Sequence, residues 1–145
     1  MTTLRQVIGA VLILIGALVA IHTVVEPLYH ASSQASPYSP NWKYINPLMA
    51  LAIVLGLIFA CMRKQEVDRE GSGAPVTRDF LAANTIFYGL LFIGILFFFN
   101  WFNLLSPGYN AVGADAVSVI WAVIDAALPL LLGAQGMTLL KGGSA

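Results

Sequence analysis

Apolar residues in this chain do not alternate with polar ones at a strand or surface-helix period. They run almost unbroken in four blocks, at about 6–26, 46–62, 80–105 and 116–140, each close to the roughly 20 residues that a helix needs to cross hydrocarbon. Between the first two lies a polar loop, 27–45, dotted with Tyr29, Tyr38, Trp42 and Tyr44. These residue types favour the headgroup level, and Pro37 and Pro40 favour extended or turn geometry, so the loop is expected to lie over the membrane surface as a lid. The linker at 63–79 separates the second and third blocks, and a turn through Ser106, Pro107 and Gly108 joins the last two. The pattern predicts an all-α membrane protein in which four transmembrane helices form an antiparallel bundle, one domain covering 1–145.

The stretch Val7 to Ile21 is fifteen residues long, at the upper limit of a secretory signal core, and no clean small-x-small site follows it. It is therefore read as the first span. Pro27 is expected to end or kink that span, and Pro47 to sit at the first turn of the second.

Composition agrees with the membrane reading. The chain is 59% hydrophobic and 10% charged, with a mean hydropathy of +0.82, whereas soluble domains carry about 25% charged residues. Formal net charge is zero and there is no basic patch, which argues against a nucleic-acid partner. Cys61 is the single cysteine and completes no CxxC or Cys/His pattern. No nucleophile–base pair, phosphate-binding glycine loop or zinc-protease motif occurs, so no catalytic activity of its own is expected, and no motif names a cofactor.

Charge sets the expected orientation. Arg5, Arg63, Lys64, Arg69, Arg78 and Lys141 fall on one side of the four spans and Lys43 alone on the other, which places both termini and the 63–79 linker in the cytoplasm, with 27–45 as the outer loop. This asymmetry speaks against a four-helix multidrug carrier working as an inverted dimer. In size and four-helix layout the chain is similar to the small membrane subunits of tripartite carboxylate carriers. The Gly-Pro-Arg and aromatic-Pro pattern looked for before their second helix is absent, however: residues 41–47 read Asn-Trp-Lys-Tyr-Ile-Asn-Pro.

Candidate chemistry rests on polar residues inside the spans. An ionisable side chain there costs roughly 2.5–3.5 kcal/mol on insertion scales, so Asp125 must face protein or water, or be protonated. Pro129, four residues on, removes the amide that would bond the Asp125 carbonyl. Asn100 on the antiparallel third helix and His22 in the first are expected at a similar depth, so that His22, Asn100 and Asp125 would form a polar cluster opening outward. The bland alternative is that Asp125 and Asn100 are interhelical hydrogen-bond glue. His22, Glu26 and His30 stand at i, i+4 and i+8, a weak metal-ligand pattern that Pro27 interrupts. Ala52, Gly56 and Ala60 recur every four residues, and Ala122 and Ala126 form a second small-xxx-small pair; both are expected to be helix-packing stripes.

Two functional classes fit. One is an accessory or assembly subunit of a larger bacterial inner-membrane complex, held through the Ala52, Gly56 and Ala60 stripe and the phenylalanine-rich third helix, with other membrane subunits or further copies as partners alongside the lipid bilayer. The other is a small transport or ligand-binding membrane protein whose outward-facing polar site lies around Asp125.

Overall fold

The computed structural model describes residues 2–71, 73, 75–106 and 108–142. Four helices account for most of them: α1 (Thr2–Tyr29), α2 (Trp42–Glu70), α3 (Arg78–Leu105) and α4 (Ala114–Leu140). There is no strand among the described residues. Each helix is long and apolar enough to cross a membrane, and only 33% to 39% of each apolar window is buried within the bundle. The rest of each apolar surface faces outward, as in Leu14, Val24, Phe92, Ile95 and Leu130. A water-soluble bundle would place polar residues there, so a multi-pass membrane protein is the arrangement that satisfies this surface.

The helices pack antiparallel in a rhombus. α1 lies most extensively along α4, α2 along α3, and α3 along α4; α2 also reaches α4 across the short diagonal, while among the described residues α1 and α3 do not meet. Glycines mark the closest approaches. A Cβ on Gly9 would sit 2.7 Å from the Gly136 carbonyl oxygen, and one on Gly136 would sit 2.6 Å from the Gly9 carbonyl oxygen. One turn pair further along, Gly16 faces the Pro129 backbone, with 3.3 Å to its oxygen. Backbones this close gain dispersion contacts that lipid tails would not supply. Leu12, Met49, Ile53, Leu90, Leu128 and Leu132 fill the centre with no accessible surface.

The helix limits differ from the sequence expectation at three places. Pro27 lies within α1, which continues to Tyr29, and the His30 amide bonds the Glu26 carbonyl at 2.9 Å. The proline removes one amide in the last turn, where the loss is small. α2 begins at Trp42, before Pro47, because a tight turn carries the chain in: the Trp42 amide bonds Ser39 O and the Tyr44 amide bonds Asn41 O. At its far end α2 runs to Glu70, so the first half of the 63–79 linker is helix. Met, Arg, Lys, Gln and Glu are strong helix formers, and Lys64 pairs with Asp68 one turn on. At 1.5 Å per residue α2 is roughly 43 Å long, so its last turns project beyond a bilayer core.

α2 stops at Gly71, whose amide bonds Val67 O at 3.0 Å, and Gly73 at φ 95° supplies a left-handed step that other residues disfavour. α3 then starts on a side-chain cap, with Thr77 Oγ1 accepting from the Phe80 amide at 3.1 Å. Thr77→Ala is expected to lower stability by about 1 kcal/mol. Thermal unfolding in detergent checks this, with Thr77→Ser as the variant that retains the cap.

The two small-residue stripes part company. Ala52, Gly56 and Ala60 are buried, and a Cβ on Gly56 would meet Leu90 and Leu132 at 3.3 and 3.6 Å. That stripe is spent inside the chain and is not free to hold a subunit. Ala122 and Ala126 are exposed, and Ala122 borders the cavity described below. α4 instead turns Trp121, Ile124, Asp125, Leu128 and Leu132 inward, and that rotation puts residues 122 and 126 on its outer side.

Candidate functional site

The segment 30–41 is a strap across one end of the bundle, opposite the end that carries both termini. Short-range bonds organise it: Ser33 and Ser36 exchange backbone hydrogen bonds at 3.1 and 3.2 Å, and Ser32 Oγ donates to Pro37 O at 2.9 Å. Glu26, in the last turn of α1, fastens it. Glu26 Oε1 accepts from the Ser39 amide at 2.6 Å and Oε2 from the Trp42 indole at 2.9 Å. The Tyr29 hydroxyl lies 2.6 Å from His22 Nε2 and donates to Ser39 Oγ at 3.0 Å, while the His22 ring stands edge-on to Trp42 with centroids 4.6 Å apart. On the far side the Tyr38 hydroxyl meets Ser118 Oγ of α4 at 2.9 Å.

Both oxygens of Glu26 therefore serve the strap. Glu26→Gln replaces one acceptor by an amide donor facing an N–H group, so the expected loss is about 1.5–3 kcal/mol. Hydrogen exchange or limited proteolysis across 30–41 reads it, because the strap should loosen before the bundle does.

Beneath the strap is a cavity of about 210 Å³ bordered by Glu26, Tyr38, Trp42, Asn46, Trp121 and Asp125. Asp125 is 8% exposed, and its Oδ1 has no hydrogen-bond partner. The same is true of Asn46 Oδ1 and Trp121 Nε1, both on buried residues. Buried polar atoms are nearly always paired, and leaving one unpaired costs about 1–3 kcal/mol. Three residues carrying such atoms line one cavity, together with the Glu26 carboxylate and aromatic rings. Two of them accept and one donates, so a polar occupant would find partners for each.

The sequence cluster of His22, Asn100 and Asp125 divides. Asn100 is fully buried, but its amide donates to the Val117 carbonyl of α4 at 3.1 Å and not to Asp125. The α3/α4 register decides this: Phe97 packs on Trp121 at 5.8 Å between centroids and Asn100 on Val117, so Asp125 lies two turns deeper, about 12 Å along α4. His22 supports the underside of the strap. Neither residue borders the Asp125 cavity.

Nor do His22, Glu26 and His30 converge on one point. His22 faces Tyr29, Glu26 holds Ser39 and Trp42, and His30 Nε2 lies 3.1 Å from Ser36 O. Among the described residues no group of three His, Cys, Asp or Glu side chains is placed to hold a metal ion.

The residues that the sequence reading missed as site members carried a signal at helical spacing. Trp42 and Asn46 are i and i+4, and Ser118, Trp121 and Ala122 stand seven, four and three residues before the already marked Asp125 on α4. The first pair was hidden by starting α2 after residue 45. Comparison of the chain with protein-family models, with curated proteins and with solved structures finds no match.

Proposed function

We propose that the chain is a small transport or ligand-binding protein of a bacterial inner membrane, that both termini lie in the cytoplasm, and that the cavity at Asp125 binds a small organic ammonium ion from the outer side. The observation that carries this reading is that Asp125, Asn46 and Trp121, each with a buried side-chain atom that has no hydrogen-bond partner, all line one cavity. An ammonium group satisfies Asp125 with a charge-assisted bond. A second polar group, such as a hydroxyl or carbonyl, engages Asn46 or Trp121. Neighbouring aromatic rings add cation–π attraction of about 0.5–2 kcal/mol. The volume equals roughly seven waters' share of the liquid, which suits an amine of few heavy atoms.

Six of the seven Lys and Arg residues support the orientation, Lys43 being the exception. A reporter fused after Lys141 is expected to be cytoplasmic; a periplasmic signal reverses the sidedness of the site. The accessory-subunit role has less support, because one of its two expected contacts, Ala52, Gly56 and Ala60, is consumed in the core, which leaves it the exposed aromatic side chains of α3, such as Phe92 and Phe102.

Binding is tested on protein purified in mild detergent, titrated with ethanolamine, choline and their uncharged isosteres while heat or thermal shift is recorded. Saturable binding of the ammonium compounds, with none of the isosteres, is the expected result. Equal binding of charged and neutral compounds, or none by either, overturns the reading. Stoichiometric membrane partners in the same preparation would favour the subunit role.

A further inference from the structure

The end of the bundle that carries both termini holds a second, larger cavity of about 750 Å³ that the amine site does not use. Its inner wall includes Gln135, which is 1% exposed and has both side-chain amide atoms without a partner. A buried primary amide with nothing to bond is a standing cost unless something enters to meet it. Around the same cavity stand Arg5 of α1 and Glu66 and Glu70 of α2. None of these three makes a hydrogen bond or ion pair with any described residue. Opposite charges facing one space without bridging it leave a gap that a molecule bearing both charges fills. Arg63, by contrast, is already committed, donating to Thr138 Oγ1 at 3.2 Å and lying 3.6 Å from Asp79.

A plain anion would meet the carboxylates of Glu66 and Glu70, and a plain cation would meet Arg5. The lining also includes Phe59, Met62 and Phe80, which suits a polar group with an apolar neighbour at the level where helices leave hydrocarbon.

We propose that this cavity is a binding site for an ammonium–phosphate zwitterion of the phosphoethanolamine type, its phosphate at Arg5 and Gln135 and its ammonium at Glu66 and Glu70. An arginine fork matches phosphate oxygens, and the Gln135 amide donates to the same group. The chemistry is common to a phosphatidylethanolamine headgroup and to free phosphoethanolamine. The site is independent of the amine cavity, since the two share no lining residue.

The test measures the unfolding temperature of the full chain in detergent with dihexanoyl phosphatidylethanolamine, dihexanoyl phosphatidylglycerol or phosphoethanolamine added. The expected shift with phosphatidylethanolamine near saturation is roughly 5 °C upward, with phosphatidylglycerol giving little. An equal shift from phosphoethanolamine assigns the site to the free zwitterion; a shift from the lipid alone assigns it to a headgroup in the bilayer. Arg5→Gln should abolish the shift without altering the ligand-free protein. Gln135→Leu should also abolish it while raising the ligand-free unfolding temperature, because the unpartnered amide is gone. Equal shifts from both lipids, no shift from any ligand, or a full shift retained in Arg5→Gln overturns the proposal.

Discussion

Gly136→Val is expected to pry α1 from α4 and to cost more than about 3 kcal/mol. The reason is local and steric. A Cβ at position 136 would lie 2.6 Å from the Gly9 carbonyl oxygen and 2.6 Å from Ile13 Cγ1. The oxygen belongs to a backbone and cannot rotate away. Relief requires moving α1 as a body, and α1/α4 is the most extensive helix contact in the bundle. Gly136→Ala should already show a loss of about 1–3 kcal/mol, and Gly9→Ala, which aims a Cβ at the Gly136 oxygen from 2.7 Å, should behave alike. Gly133→Ala is the control on the same helix. Its Cβ meets nothing within 4 Å, so the change should be neutral or stabilising by up to about 1 kcal/mol through helix propensity. Unfolding temperatures of the four variants in one detergent decide the matter. If positions 133 and 136 respond equally, the close approach is not what holds α1 to α4.

Asp125→Asn is expected to weaken binding of the proposed amine by roughly 30-fold to more than 1000-fold, which corresponds to about 2–5 kcal/mol for removing one partner of a buried charge pair. The substitution keeps the shape and one acceptor while deleting the charge. Stability should hold or rise, because Asp125 Oδ1 has no protein partner to lose and a neutral amide is cheaper to bury than a carboxylate. This separates binding from glue. Were Asp125 a helix-to-helix fastener, Asn would lower the unfolding temperature and leave the affinity alone; calorimetric titration and thermal unfolding of the same preparation distinguish the two outcomes. Asn100→Leu is a useful companion. Asn100 bonds the Val117 carbonyl, so its loss should reduce stability and spare the amine.

The residues show where sequence reasoning reached its limit. A carboxyl group in a span is costly wherever it points, which marks Asp125 from the sequence alone, and it does border a cavity. In the sequence, Asn100 and His22 share with it only a similar depth in the membrane. Depth says nothing about the register between α3 and α4, and a shift of two turns gave Asn100 a different partner. Glu26 stands in the sequence as one of three metal-ligand types, yet its two oxygens go to Ser39 and Trp42, thirteen and sixteen residues along the chain. Nothing in the one-dimensional pattern marks Gly9 and Gly136, although they lie where two backbones nearly touch.

Four apolar blocks, their lengths, and the concentration of basic residues at one set of ends are properties of the chain read in one dimension, because the cost of placing a residue in hydrocarbon is set largely by its own side chain. Which small residues face inward, what each buried polar atom bonds, and which side chains share a cavity depend on how the helices are rotated and slid against one another. Ala52 and Ala122 look alike in the sequence and lie on opposite kinds of surface. That difference comes from packing, where the fit of Gly9 to Gly136 and of Phe97 to Trp121 selects one register among several that lipid alone would accept.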